Sequence, residues 1–228
     1  MNPATKISTI LKNEGLRGVA VKVFQKVIYR RQTITLLKRD LHKPVRKFKT
    51  SKRWQVREFT ENDLQFCRGH FSRYINDYRD LFAEKFKAFA AFEHESQEVI
   101  AIAWYAPRDF YDQHYHHYTF RVEPHQVFQF AGEVAPEYRN TQVSVNVMQG
   151  AWDYWKEHGK QEVLCTVNTT NVPSLRLVFH LEWEETGQLI HFHRSFGIYW
   201  QSEASYQGER FDQFKKKHRR REESQNAA

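Results

Sequence analysis

Between Gln126 and Trp183 the sequence reads strand, sharp turn, long helix, strand, short helix, and few folds accommodate that order. The first strand, Gln126–Val134, is apolar enough to lie inside a sheet, and Pro136 stops it. The turn from Glu137 to Thr141 leads into a helix expected from Gln142 to His158. Gly159 then offers the left-handed residue that ends such a helix. Glu162–Asn168, rich in β-branched residues, reads as a second strand. Asn171 can cap a short helix from Val172 to Leu181, with Pro173 in its first turn, where a missing N–H costs nothing.

A strand–helix–strand unit with a sharp turn at the helix start can hold an anion. The first N–H groups of the Gln142 helix lack partners inside it, and the helix dipole favours negative charge there. Arg139 could add a fork of donors. Without a ligand the same residues make an ordinary βαβ unit.

The segment Val134-Ala-Pro-Glu-Tyr-Arg-Asn-Thr-Gln-Val-Ser144 resembles the central motif of the GNAT acyltransferases, roughly hydrophobic, x, Pro, x, aromatic, Arg, Gly, x, Gly, hydrophobic, Gly. Asn168 to Trp183, with Asn171 and Ser174, is similar to the later Asn-x-x-(Ala/Ser) helix of that family. The resemblance covers Trp54 to about Trp200 in element order and these two motifs in residues. It implies a mixed α+β fold, a central mixed sheet flanked by helices, with acetyl-CoA or another acyl-CoA as the acyl donor. It implies further that Arg139, Asn140, Thr141, Gln142, Val143, Ser144 and Val145 meet the pyrophosphate. Val134 would meet the pantetheine arm, and Asn171 with Ser174 would lie near its thioester end. The sequence departs from the family where Gln142 and Ser144 replace glycines, where Val178 stands at the position of an acid tyrosine, and where Glu182-Trp183 replaces Gly-Phe.

Charge divides the chain. Residues 1–57 carry 16 Lys/Arg against Glu14 and Asp40, a balance of +14; residues 58–208 carry 12 against 21 acids, or −9; residues 209–228 carry 7 against 4, or +3. Three parts follow: a basic N-terminal extension, 1–53; an acetyltransferase-like domain, 54–203; and a basic, disordered tail, 204–228. In the extension, Lys6 to Asn13 and Leu16 to about Arg31 read as helices, and Thr33–Leu37 as a strand. The second helix is basic and amphipathic, so residues 1–31 could pack on the acidic domain or touch an anionic membrane. Asp40–Arg53 reads as a linker. No run of roughly 18 apolar residues spans a bilayer. Two distant cysteines, Cys67 and Cys165, suit buried thiols in the cytoplasm, at most at the inner membrane face.

The remaining elements follow from pattern. Trp54–Thr60 alternates as a half-buried strand, and Thr60-Glu-Asn-Asp63 is a capping-box variant opening a helix through Leu64, Cys67, Phe71, Tyr74 and Tyr78. By the resemblance, Tyr74 to Phe86 faces the acceptor. Phe89–Phe92 and Val99–Tyr105 form a hairpin, and Thr186-Gly187 a turn before the last strands, Gln188–His193 and Gly197–Trp200. His191 and His193 should share a face, and order is expected to fade after Gln201. His114, His116 and His117 with Asp109 and Asp112 have no spacing of a zinc site, so no metal is assigned.

For acyl transfer to an amine, Glu133 is the candidate base, since a half-buried carboxylate could take the ammonium proton. By family analogy the Val134 N–H would polarise the thioester carbonyl. The expectation is an acetyl-CoA-dependent N-acetyltransferase on a small-molecule or glycan amine, such as a sugar nucleotide or envelope-polysaccharide precursor, with a homodimer allowed. The alternative is a catalytically degenerate acyl-CoA-binding or scaffold module, motivated by the lost glycines and tyrosine. Nucleic-acid binding through the basic ends finds no motif to support it.

Overall fold

The computed structural model describes residues 29–44 and 51–215. Its strands are β1 Tyr29–Asp40, β2 Trp54–Phe59, β3 Lys87–Glu93, β4 Val99–Ala106, β5 Phe110–Asp112, β6 Tyr118–Phe120, β7 Gln126–Val134, β8 Glu162–Asn168, β9 Glu184–Ser195 and β10 Ile198–Ser205. The α-helices that lie wholly within the described residues are α1 Ile75–Ala83, α2 Val143–Glu157 and α3 Val172–His180, and a further helical stretch opens at 212–215. All strands but β5 and β6 join one sheet in the order β10-β9-β1-β8-β7-β4-β3-β2. Only β7 and β8 pair in parallel; the other neighbours are antiparallel. This is the mixed sheet flanked by helices that the sequence implied.

The core follows from which strands are apolar on both sides. Every residue of β4 is buried, as is Ala88–Phe92 of β3, so both faces there need a cover. On one face α2 lays down Val143, Val147, Ala151, Trp152 and Trp155, all buried. Gly150 lets it come close: a Cβ there would stand 3.0 Å from Val56 Cγ1. On the other face, Phe59 packs 5.8 Å from Tyr78 and 5.7 Å from Phe82, and Phe82 lies 5.0 Å from Trp104, measured between ring centres. Each large side chain buried this way contributes roughly 1.5–3 kcal/mol relative to exposure.

Several expectations change. The helix expected from Leu64 to Tyr78 is two 3-10 turns, Glu61–Phe66 and Gly69–Tyr74, followed by α1. Gly69, at φ +51°, breaks the run, while the capping box at Thr60 and Asp63 forms as expected. Arg57 grips the same Asp63 with two bonds of 2.7 and 2.8 Å. The turn expected at Thr186-Gly187 is instead a bulge inside β9, where the register against β1 shifts between Thr35 and Leu37. Nor does order fade after Gln201. β10 runs to Ser205, and Phe211, 5% exposed, packs on Phe179 at 6.0 Å. The Glu185 carboxylate holds this returning segment, accepting from Tyr206 Oη (2.7 Å) and the N–H groups of Arg210 (3.0 Å) and Phe211 (3.2 Å).

The expected strand 33–37 is the middle of β1, which lies between β8 and β9. Ile34 faces Asn168 on one side and Ile190 on the other. Tyr29–Arg31, the end of the second predicted helix, open this strand instead. The rest of that helix, the helix at Lys6–Asn13, most of the 1–31 membrane segment, linker residues 45–50 and the charge run past Lys215 lie outside the described residues. No described helix is long and apolar enough to cross a membrane. Cys67 and Cys165 are free and buried, and burial pushes both thiols upward, Cys67 to about 12.

Candidate active site

The parallel pair comes apart. β7 and β8 are in register from Gln126 with Glu162 to Gln129 with Cys165, and no pairing continues beyond. Opposite β4, the register of β7 shifts between Phe130 and Glu133 as the chain bulges at Ala131, φ +46°. The parted strands and the starts of α2 and α3 enclose a cavity of about 410 Å³. Glu133, Val134, Ser144, Asn171 and Ser174 all line it, with Cys165.

The turn before α2 is tied to its surroundings. Tyr138 is buried edge-on to Trp54 and donates its hydroxyl to Glu93, while Trp54 Nε1 donates to Asn146 Oδ1 at 3.1 Å. Asn140, at the first glycine of the motif, takes φ +64°, a conformation asparagine tolerates better than most residues. Gln142 has an ordinary φ of −81°, and its side chain is exposed, so it does not fill the turn. The helical bonds begin with Asn146 N–H to Gln142 O at 3.0 Å, leaving the N–H groups of Val143, Ser144 and Val145 without a helical carbonyl. Val143 and Val145 bury their side chains, so only their backbone could meet a ligand. Arg139 and Thr141 are exposed at the turn. Arg139 folds back, its Nε 3.4 Å from Val134 O and its Nη2 3.5 Å from Glu133 Oε1. The Asn171 side chain accepts from Ser174 N–H at 3.3 Å, the cap expected for α3. Val178, buried, lines the cavity without a hydroxyl.

A second cavity, about 700 Å³, meets the first at Gly132 and Glu133. One wall is the Tyr74-to-Phe86 stretch, the other the loop from Arg108 to His116. Asp77, Asp80, Glu84, Asp109, Asp112 and Glu133 all face it, against one guanidinium, Arg108. Burial pushes the Asp112 carboxyl up, but bonds from His116 Nδ1 (2.7 Å) and the N–H groups of Tyr115 (3.0 Å) and His114 (3.2 Å) hold it below the usual range. Of the loop histidines, His116 thus folds the loop on Asp112 through its side chain and His114 through its backbone N–H alone. Among the described residues no group of three His, Cys, Asp or Glu could hold a metal ion.

Where the cavities join, His70 Nε2 lies 2.9 Å from Glu133 Oε1. The His70 side chain is 12% exposed and stands edge-on to Phe71 and Tyr74. The sequence named Glu133 as a candidate and did not point to its partner His70, which lies on the 3-10 turn that Gly69 opens. Glu133 lines both cavities and His70 stands behind it, lining neither; a carboxylate so placed and so oriented can move a proton at the junction of the two.

No family model matches the sequence, and no curated protein does. Solved structures do match. A GCN5-related N-acetyltransferase from Sphaerobacter thermophilus is similar at TM-score 0.51 and 13% identity, over 79% of this chain and 57% of that one. A tandem GNAT protein from the clavulanic acid biosynthesis pathway is similar at TM-score 0.51 and 12% identity, over 86% of this chain and 60% of the other. The chain therefore spans about three-fifths of the length of these relatives.

Proposed function

We propose that this chain, which has the fold of the GNAT N-acetyltransferases, moves an acyl group from acyl-CoA to a polycationic amine in the cytoplasm. The observation that carries the proposal is Glu133, paired with His70, at the meeting of two cavities.

Acyl-CoA fits the narrower cavity. The strands part where a pantetheine chain would pass, and at the start of α2 the Val143 N–H lies 3.3 Å from Thr141 Oγ1 while those of Ser144 and Val145 have no helical carbonyl and can meet a diphosphate. We assign Val134, Asn171 and Ser174 to the arm, and Arg139 through Val145 to the pyrophosphate end. The bound thioester supplies an activated acyl carbon. Glu133, oriented by His70, takes the proton of the incoming ammonium, so that the nitrogen lone pair is free to attack. The Val134 N–H polarises the carbonyl. With no hydroxyl at Val178, the departing sulfur takes its proton from water, which a thiol of pKa near ~8.5 allows.

The wide cavity supports an amine acceptor with several positive charges. Six carboxylates line it; Glu84 pairs with Arg108, Asp109 with Arg121, Asp112 with His116 and Glu133 with Arg139 and His70, which leaves Asp77 and Asp80 with no ion pair among the described residues to attract such an amine and repel the diphosphate of a sugar nucleotide. An amino sugar without phosphate still fits. A second reading, an acyl-CoA-binding module without catalysis, is favoured by Val178.

Differential thermal melting with acetyl-CoA tests the donor site. Saturation at ~100-fold over Kd adds about 2.7 kcal/mol, a rise of several degrees. No rise at millimolar acetyl-CoA overturns the proposal. Free-thiol release with spermine or an amino sugar separates the enzyme from the binding module, which would shift in the melt and release nothing.

A further inference from the structure

The hairpin joining β9 to β10 carries a cluster of large exposed apolar residues. Phe196 is 73% exposed, Ile198 69%, Tyr199 59% and Trp200 43%. Ile198 and Trp200 share one face and Tyr199, against Arg194 and His117, the other; so much exposed apolar surface on one hairpin marks a contact with something else. The cluster is built. Ile198 pairs with Ser195 and Trp200 with His193, and Tyr29 pairs with Ser195 from the β1 side, so one face carries Tyr29, His193, Ile198 and Trp200. The Trp200 ring lies flat on the His193 ring, 5.0 Å away and tilted by 6°. That imidazole is clamped by Tyr29 Oη at 2.8 Å and Ser202 Oγ at 3.1 Å. An indole is thereby held up with one side covered and the rest open.

Beside this cluster, at the same end of the sheet, lies a polar basin of about 440 Å³. Arg30, Arg31, Arg210 and His191 line it with Asn168 and Thr170, and no carboxylate does. Among the described residues these three guanidiniums have no carboxylate within 4.0 Å. Arg31 Nη2 instead donates to the buried His191 ring at 3.0 Å, and burial and then Arg31 push that imidazole's pKa down. Guanidinium forks with no described carboxylate beside them suit phosphate oxygens.

We propose that this end of the sheet is a docking surface for a membrane rich in anionic phospholipid. Phe196, Ile198 and Trp200 enter the interface, and Arg30, Arg31 and Arg210 take the headgroup phosphates. Trp and Tyr favour the depth of lipid headgroups, and arginines beside them meet the negative surface. Residues 1–31, of which the described Tyr29–Arg31 open β1, carry 7 Lys/Arg against Glu14 in sequence. The docking does not depend on acyl transfer.

Trp200 reports on it directly. Of six tryptophans, Trp54, Trp104, Trp152, Trp155 and Trp183 are each at most 8% exposed, and Trp200 alone is exposed. The full chain is titrated with vesicles of phosphatidylglycerol mixed with phosphatidylcholine, with and without brominated acyl chains, and with phosphatidylcholine alone. We expect binding to the mixed vesicles only, and quenching of the Trp200 emission by bromine. F196S/W200S, whose fold is checked by circular dichroism, should bind far more weakly. Each arginine removed, in R30Q and R210Q, should weaken binding about fivefold. Binding without bromine quenching, or unchanged in F196S/W200S, overturns the proposal, because the basic ends alone would then account for it. So does stabilisation by inorganic phosphate without vesicle binding, which makes the basin a small-anion site. So does Trp200-dependent dimerisation in sedimentation equilibrium with no affinity for vesicles.

Discussion

Glu133 and His70 are 63 positions apart in sequence and 2.9 Å apart in space. If the pair carries the proton, Glu133→Gln keeps the shape and loses the base. We expect kcat to fall by about 10²–10⁴ while acetyl-CoA still raises the melting temperature to the wild-type extent. His70→Ala should reduce kcat less, since it keeps the Glu133 carboxylate and removes only the partner that orients it. Full turnover in Glu133→Gln, measured by thiol release, would mean the base lies elsewhere. Glu133 was legible in the sequence because a strand and a motif fixed its neighbourhood. His70 was not, because its place depends on where a non-repetitive turn sets it down. Asn140 shows the opposite: the left-handed conformation it adopts, φ +64°, is one that a motif glycine supplies elsewhere.

At the scale of elements, β7 and β8 begin and end where the pattern put them, and α2 starts one residue after the expected boundary. Local signals decide these: alternation, β-branching, Gly159 as a stop. The long helix expected after Thr60 failed because helical spacing of apolar residues persists through two 3-10 turns that Gly69 separates. Gly187 was misread for a related reason. A residue at φ +80° serves a turn or a bulge equally, and only the pairing of β9 with β1 tells them apart. The bulge gives Gly187 a testable cost of substitution. A Cβ there would meet Tyr206 O at 2.8 Å in a backbone conformation that disfavours side chains. Gly187→Ala should therefore lose about 1–3 kcal/mol in urea unfolding. Wild-type stability would show that β9 can run without the bulge.

For the whole molecule, the division into basic ends and acidic middle was plain in the sequence, but how the ends attach was not. The returning segment after β10 is held by Glu185, whose carboxylate also lies 3.2 Å from Lys215 Nζ. Burial raises this carboxyl, but Tyr206, Lys215 and the N–H groups of Arg210 and Phe211 outweigh it and leave the pKa below the ordinary value of 4.5. A carboxyl lowered on folding adds stability above its unfolded pKa, and that stability is lost as pH falls through the folded value. Glu185→Gln should cost about 1–3 kcal/mol at neutral pH and progressively less in acid, below about pH 4.5. A constant difference between the two proteins across an acid melting series would remove Glu185 from this role.

β1 was recognisable as a strand, yet its partners lie some 130 to 160 residues onward, and no local pattern names them. Its position has a consequence for how the protein is made. The first described strand to leave the ribosome is a middle strand of the sheet, and it waits unpaired until β8 and then β9 have been translated. Sheet closure is thus deferred until β9 has emerged, and until then an apolar strand edge is left for chaperones to shield.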